Sequence, residues 1–162
     1  MAREYSVNGD NQTVVAAPQA TWVNPKASPS CAIELIRAWM SQRANATSAQ
    51  QGAGIGTKVS VFPTVVGVTP AAVKLSDPAS LIVSGTGGTG TSGINSSANG
   101  AGTETNTYQD NFNVLNGWLW VPTPVETVVV GAGAASGIFT QFHGTPGTLT
   151  GWSFGVMWRE LG

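Results

Sequence analysis

Trp152-Ser153-Phe154-Gly155-Val156-Met157-Trp158-Arg159-Glu160 decides the fold. Trp152, Phe154, Val156 and Trp158 alternate with Ser153, Gly155, Met157 and Arg159. A period of two puts the large apolar groups on one face of a strand, whereas on a helix the same spacing would scatter them around the axis. The segment therefore reads as a strand buried on one side.

Upstream, residues 137–142, 127–130, 118–121 and 108–115 read the same way, as short β-branched or aromatic runs. Gly144-Thr-Pro146-Gly147, Gly131-Ala-Gly133, Pro122-Thr-Pro124 and Asn116-Gly117 separate them. Asn116-Gly117 is a hairpin dipeptide, which predicts that the strands on either side of it pair. Further candidate strands lie at residues 2–7, 13–17, 20–23, 58–62, 65–68, 71–75 and 81–83. Residues 31–42 allow a second reading. Ser30 could cap a helix, with Ile33, Ile36, Arg37 and Met40 at helical spacing. The β-like neighbours favour a strand, which would place Cys31, Ile33, Leu35 and Trp39 on one face, broken only by Arg37.

Glycine makes up 21 of the 162 residues, well above the usual share of about 7%. Seven of them fall between Gly85 and Gly102, among Thr, Ser, Ala and Asn. Such a segment buries too little apolar surface to offset its ordering entropy, and it is expected to be a long surface loop. The whole predicts an all-β, single-domain jelly-roll-like β-sandwich with a long Gly-rich loop at 85–102. Residues 1–29 form an N-terminal arm with edge strands, and residues 30–162 form the sandwich.

Composition excludes several functions. Charged residues are only 9% of the chain, and seven basic side chains nearly balance eight acidic ones without clustering. Nucleic-acid binding, which needs several cations on one face, is not expected. No apolar run approaches the roughly eighteen residues of a membrane span, and the N-terminus has no apolar signal-peptide core. A single cysteine, Cys31, and a single histidine, His143, leave no internal disulfide, cysteine cage or paired-histidine metal site. No cofactor is expected.

Three motif matches fail on context. Gly85-Thr-Gly87-Gly-Thr-Gly90 fits a dinucleotide fingerprint, but the Ser-, Gly- and Asn-rich run after it cannot start the helix that a pyrophosphate requires. Gly131-Ala-Gly133 follows a strand, but only about thirty residues remain beyond it, too few for the rest of a mononucleotide-binding half. Gly151-Trp-Ser153-Phe-Gly155 resembles a nucleophile elbow, yet no histidine follows Ser153. Two carboxylate pairs, Glu104 with Asp110 and Glu126 with Glu160, could in principle meet as glycosidase acids. With eight acids in the chain, such pairs arise by chance, and no enzymatic activity is expected.

Glu34-Leu-Ile-Arg-Ala-Trp39, Ser41-Gln42 and Ser48-Ala-Gln50-Gln51 resemble a group of small tailed-phage and prophage virion proteins encoded near head genes. So, more closely, does Asn111-Phe-Asn113-Val-Leu115-Asn-Gly117-Trp-Leu119-Trp-Val121-Pro-Thr123-Pro124. The stretch from Ala53 to Pro63-Thr64, the Gly-rich block through Ala101 and Leu149-Thr-Gly151-Trp152 extend the likeness from about residue 30 onward. The resemblance implies a capsid decoration or cement subunit on the outer surface of the phage head, made in the host cytoplasm. It further implies a trimer that bridges major capsid proteins. The alternative is a receptor- or carbohydrate-binding module on a tail or spike.

Six tryptophans fit a binding protein, because tryptophan is enriched at interface hot spots. Trp118 and Trp120 share one face of their run and Leu119 and Val121 the other, so one face can pack inward while the other meets a partner. The candidate interface residues are Tyr5 and Trp22 in the arm, Trp118 and Trp120, and Gly87 and Asn95 in the Gly-rich loop.

Overall fold

The computed structural model describes residues 3–14, 21–23, 25–26, 31–45, 47–59, 73–74, 85–86, 94–96, 102–133 and 136–161. Among them there are thirteen strands and no helix, and hence no helix long and apolar enough to cross a membrane. The strands are β1 (Arg3–Gln12), β2 (Thr21–Val23), β3 (Pro25–Lys26), β4 (Ala32–Gln42), β5 (Gln50–Val59), β6 (Val73–Lys74) and β7 (Gly85–Thr86). β8 (Ile94–Ser96), β9 (Thr103–Asn113), β10 (Trp118–Trp120), β11 (Val128–Val130), β12 (Gly137–His143) and β13 (Trp152–Leu161) complete the set. The candidate strands at residues 65–68 and 81–83 lie outside the described residues.

Two antiparallel sheets pack face to face. The first runs β10–β4–β13–β1–β6, with β11 also on β4; the second is built around β12, which pairs β5 on one side and β2 and β3 on the other. β5 in turn pairs β9. Tyr5, Ile33, Leu35, Phe154, Val156 and Trp158 from the first sheet meet Ala53, Ile55, Ile138 and Phe142 from the second in one core. Phe142 meets Trp152 nearly edge-on, with ring centroids 4.8 Å apart.

β13 behaves as its alternation predicts: Trp152, Phe154, Val156 and Trp158 are buried, while Ser153, Met157 and Arg159 are half-exposed. Residues 31–42 are strand, but with different faces from those expected. β4 pairs Arg37 with Met157 and Leu35 with Trp158, which leaves Ile36 as an extra residue. This β-bulge advances the alternation by one, so that Ala38 and Met40 enter the core after Ile33 and Leu35. Trp39 is turned to the outer face, where it lies across Gly155; a Cβ on Gly155 would overlap its ring. The Arg37 guanidinium sits 5.4 Å from the Trp39 ring centroid.

β5 begins at Gln50, eight residues before the expected strand at 58–62. Gly52, Gly54 and Gly56 have little strand preference of their own, but each is held where a neighbouring side chain needs the space. His143 lies against Gly52 and Gly54, and the Phe139 ring lies against Gly56. Asn116-Gly117 is not a hairpin. Gly117 takes a left-handed φ of 69°, yet β9 belongs to the second sheet and β10 to the first. The turn therefore carries the chain across the sandwich. The Gly-rich stretch at 85–102 is not loop throughout: Gly85–Thr86 pairs Pro25–Lys26, and Ile94–Ser96 pairs Thr21–Val23.

Candidate functional site

The two sheets open along the edge where β9 faces β10 and β11. β9 pairs β5 alone among the described strands, and no described strand pairs its other edge. A bulge at Thr107 interrupts the pairing between Ile55↔Tyr108 and Gly56↔Asn106, and the Thr107 hydroxyl donates to the Ile55 carbonyl at 3.0 Å. Residues paired across strands share a face. Tyr108, Asp110 and Phe112 therefore lie on the side of Ile55, Ala53 and Gln51 that meets the other sheet.

From the opposite sheet, β10 directs Trp118 and Trp120 inward, each only 6% exposed. The Tyr108 ring stands 6.4 Å from Trp118 and 6.1 Å from Trp120, tilted by 38° and 54°. Asp110 Oδ2 accepts from Trp118 Nε1 at 3.3 Å and from the Tyr108 hydroxyl at 3.4 Å. Tyr108 titrates above its ordinary value of 10.0, because partial burial and then the charges of Asp110 and Glu126 disfavour the phenolate. It remains a phenol and a donor.

Glu126 closes a turn in which its N–H donates to the Thr123 carbonyl at 3.0 Å, with Pro124 at the second position that such turns favour. Its carboxylate accepts from the Thr123 hydroxyl at 2.8 Å. Between this turn, β11 and β9 lies a cleft of about 350 Å³, lined by Thr57, Thr107, Tyr108, Trp120, Glu126 and Thr127 with Val128 and Val129.

Of the residues expected at an interface, the fold brings Trp118 and Trp120 together and separates the rest. Tyr5 belongs to the core. It is wholly buried, its ring 5.8 Å from Trp158 and its hydroxyl donating to Glu160 at 3.3 Å, so the folded chain presents none of it to a partner. Asn95 is half-buried with φ 55°, and its Nδ2 donates to the Thr13 carbonyl at 2.8 Å. Gly87 and the side chain of Trp22 lie outside the described residues. Of the candidate carboxylates, Glu104 is on the other face of β9 from Asp110, paired with the buried Lys58 at 2.8 Å, and Glu160 is buried and accepts from Tyr5. Among the described residues no group of three His, Cys, Asp or Glu could hold a metal.

No protein-family model, curated protein or solved structure matches the chain.

The outward side of the β10–β11 margin is apolar. Leu119 is 57% exposed, Val121 60%, Val125 91% and Val129 47%. Sequence reading found the two-sided character of residues 118–121 but gave the tryptophans to the interface. The structure turns them inward and leaves the aliphatic residues outside. Glu126 stands out in the sequence only as a possible partner of Glu160 and as the end of a Pro-containing turn, and nothing in the sequence marks Tyr108 or the three threonines as cleft residues.

Proposed function

We propose that this chain is a non-enzymatic structural subunit of a tailed-phage particle, a decoration or cement protein with jelly-roll-like connectivity. In this reading it sits on the outer surface of the head and bridges major capsid proteins as a homotrimer. The observation that carries it is the exposed aliphatic margin of Leu119, Val121, Val125 and Val129, on the side where β9 has an edge that no described strand pairs. Exposed apolar side chains strung along one edge of a sheet are what a neighbouring subunit covers. The low charge and the Ser-, Thr- and Asn-rich composition suit a protein that lives in an assembly. Repeated over a shell, even a small apolar footprint at about 25 cal/mol per Å² adds up to useful reinforcement.

The test is quantitative mass spectrometry of gradient-purified particles, read as copies of this chain per major capsid protein. A simple integer ratio to the shell supports the proposal. A copy number of neck or tail size favours the tail or spike module instead, and absence from the particle overturns both.

A further inference from the structure

We infer that the cleft between β9 and β11 binds the guanidinium group of an arginine presented by a partner protein. The case rests on charge complementarity and ring geometry. Glu126 lines the cleft, and Asp110 accepts from the hydroxyl of Tyr108, which also lines it; among the described residues no Lys or Arg lines the cleft. The nearest cation on β5, Lys58, follows Thr57 in the chain and so lies on the reverse face of the sheet, where Glu104 neutralises it. Among the described residues the cleft therefore carries negative charge with no lining cation, beside two aromatic rings, Tyr108 and Trp120, with centroids 6.1 Å apart and inclined at 54°.

That combination selects among ligands. An anion is repelled. A neutral sugar could stack on the rings but would gain nothing from the charge. A cation gains from both, since aromatic faces carry negative quadrupole density and carboxylates attract at short range. A guanidinium suits the site better than an ammonium: it is flat, weakly hydrated and able to stack on a ring while its N–H groups fork onto oxygens. The acceptors are already placed. Glu126 is steadied by the Thr123 hydroxyl at 2.8 Å, and Thr57, Thr107 and Thr127 add hydroxyl oxygens around the wall. A volume of about 350 Å³ is at the small end for a ligand pocket and fits one long side chain. The inference deepens the proposed structural role by naming the contact chemistry of the partner, and it rests on that reading only for who the partner is.

The experiment uses the full chain in solution and N-acetyl-L-arginine amide as the probe, followed through the tryptophan indole N–H signals by NMR. The controls are N-acetyl-L-citrulline amide, the uncharged isostere, and methyl glucoside. The expected result is a saturable shift with the arginine probe that is about tenfold weaker with citrulline and weakens with added salt. Glu126→Gln should reduce the arginine affinity by roughly three- to tenfold, and Tyr108→Ala should reduce it at least as much, with the amide spectrum of the fold retained. Equal binding of arginine and citrulline, preferential binding of the glucoside, or no saturable shift overturns the inference. None of these outcomes touches the copy number in particles, so the cleft and the particle role fail separately.

Discussion

β13 and β9 are both long strands, ten and eleven residues, and they are strands for opposite reasons. β13 lies between β1 and β4, and Trp152, Phe154, Val156 and Trp158 give it a buried face of its own. β9 is exposed along almost its whole length. Its contribution to the core is Phe112 at its C-terminal end; the rest holds its shape through the ladder to β5 and the ion pair from Glu104 to Lys58. The first strand is specified by its own side chains and the second by its neighbour. A strand of the first kind anchors the fold, while one of the second kind leaves its side chains open for something else.

The sharpest way to break the comparison is to truncate one side chain on each strand. Trp158→Ala removes a fully buried ring that packs on Tyr5 and should cost about 3–5 kcal/mol, enough to consume much of the stability of a domain this size. Gln109→Ala on the exposed part of β9 should stay within about 0.5 kcal/mol. Urea titrations of the two variants check this, and comparable losses would mean that β9 is itself a core element.

The contrast also explains which features could be read from the residues. β13 was legible because alternation of large apolar and small or polar side chains is a local property. β4 was legible as a strand but not in its faces, because the extra residue Ile36 appears only when β4 is laid against β13. The N-terminal part of β5 was hidden, since alternating glycines look like loop until Phe139 and His143 are seen filling the space above them. Asn116-Gly117 announced a turn, but a dipeptide cannot say which sheet the next strand joins. The cleft was less legible still. Tyr108, Trp120 and Glu126 come together only because two sheet edges meet, and nothing in their spacing records that.

β5 supplies a second test, on glycines rather than large side chains. Gly54→Ala would drive a Cβ into the His143 ring, and Gly56→Ala would press on both Phe139 and the Thr105 carbonyl. Each should cost about 1–3 kcal/mol, as overpacking does. Gly147→Ala meets nothing within 4 Å and should change stability by less than about 0.5 kcal/mol. The measurement is the urea midpoint of each variant. If all three alanines were neutral, the packing of β12 side chains over β5 would not be what makes that segment a strand.

The smallest effect expected is on pH dependence, and it isolates one end of the β5–β12 pair. His143 Nε2 is enclosed and has no hydrogen-bond partner among the described residues, and burial lowers the pKa of the ring below its ordinary 6.5. A lowered histidine pKa means that the unfolded chain takes up a proton more readily than the folded one. Stability is then full above about pH 6.5 and falls as the pH drops through that value toward the lower folded pKa, below which this contribution levels off. His143 is the only histidine, and Asp10, whose pKa is lowered mainly by the Ser153 hydroxyl, acts only below its ordinary 3.8. The urea midpoint should therefore decline modestly between about pH 7 and pH 5 in the natural chain, and His143→Gln should flatten that decline. An equal slope in both proteins would show that the ring accepts its proton freely where it lies, and that the contact with Gly54 leaves room for the charge.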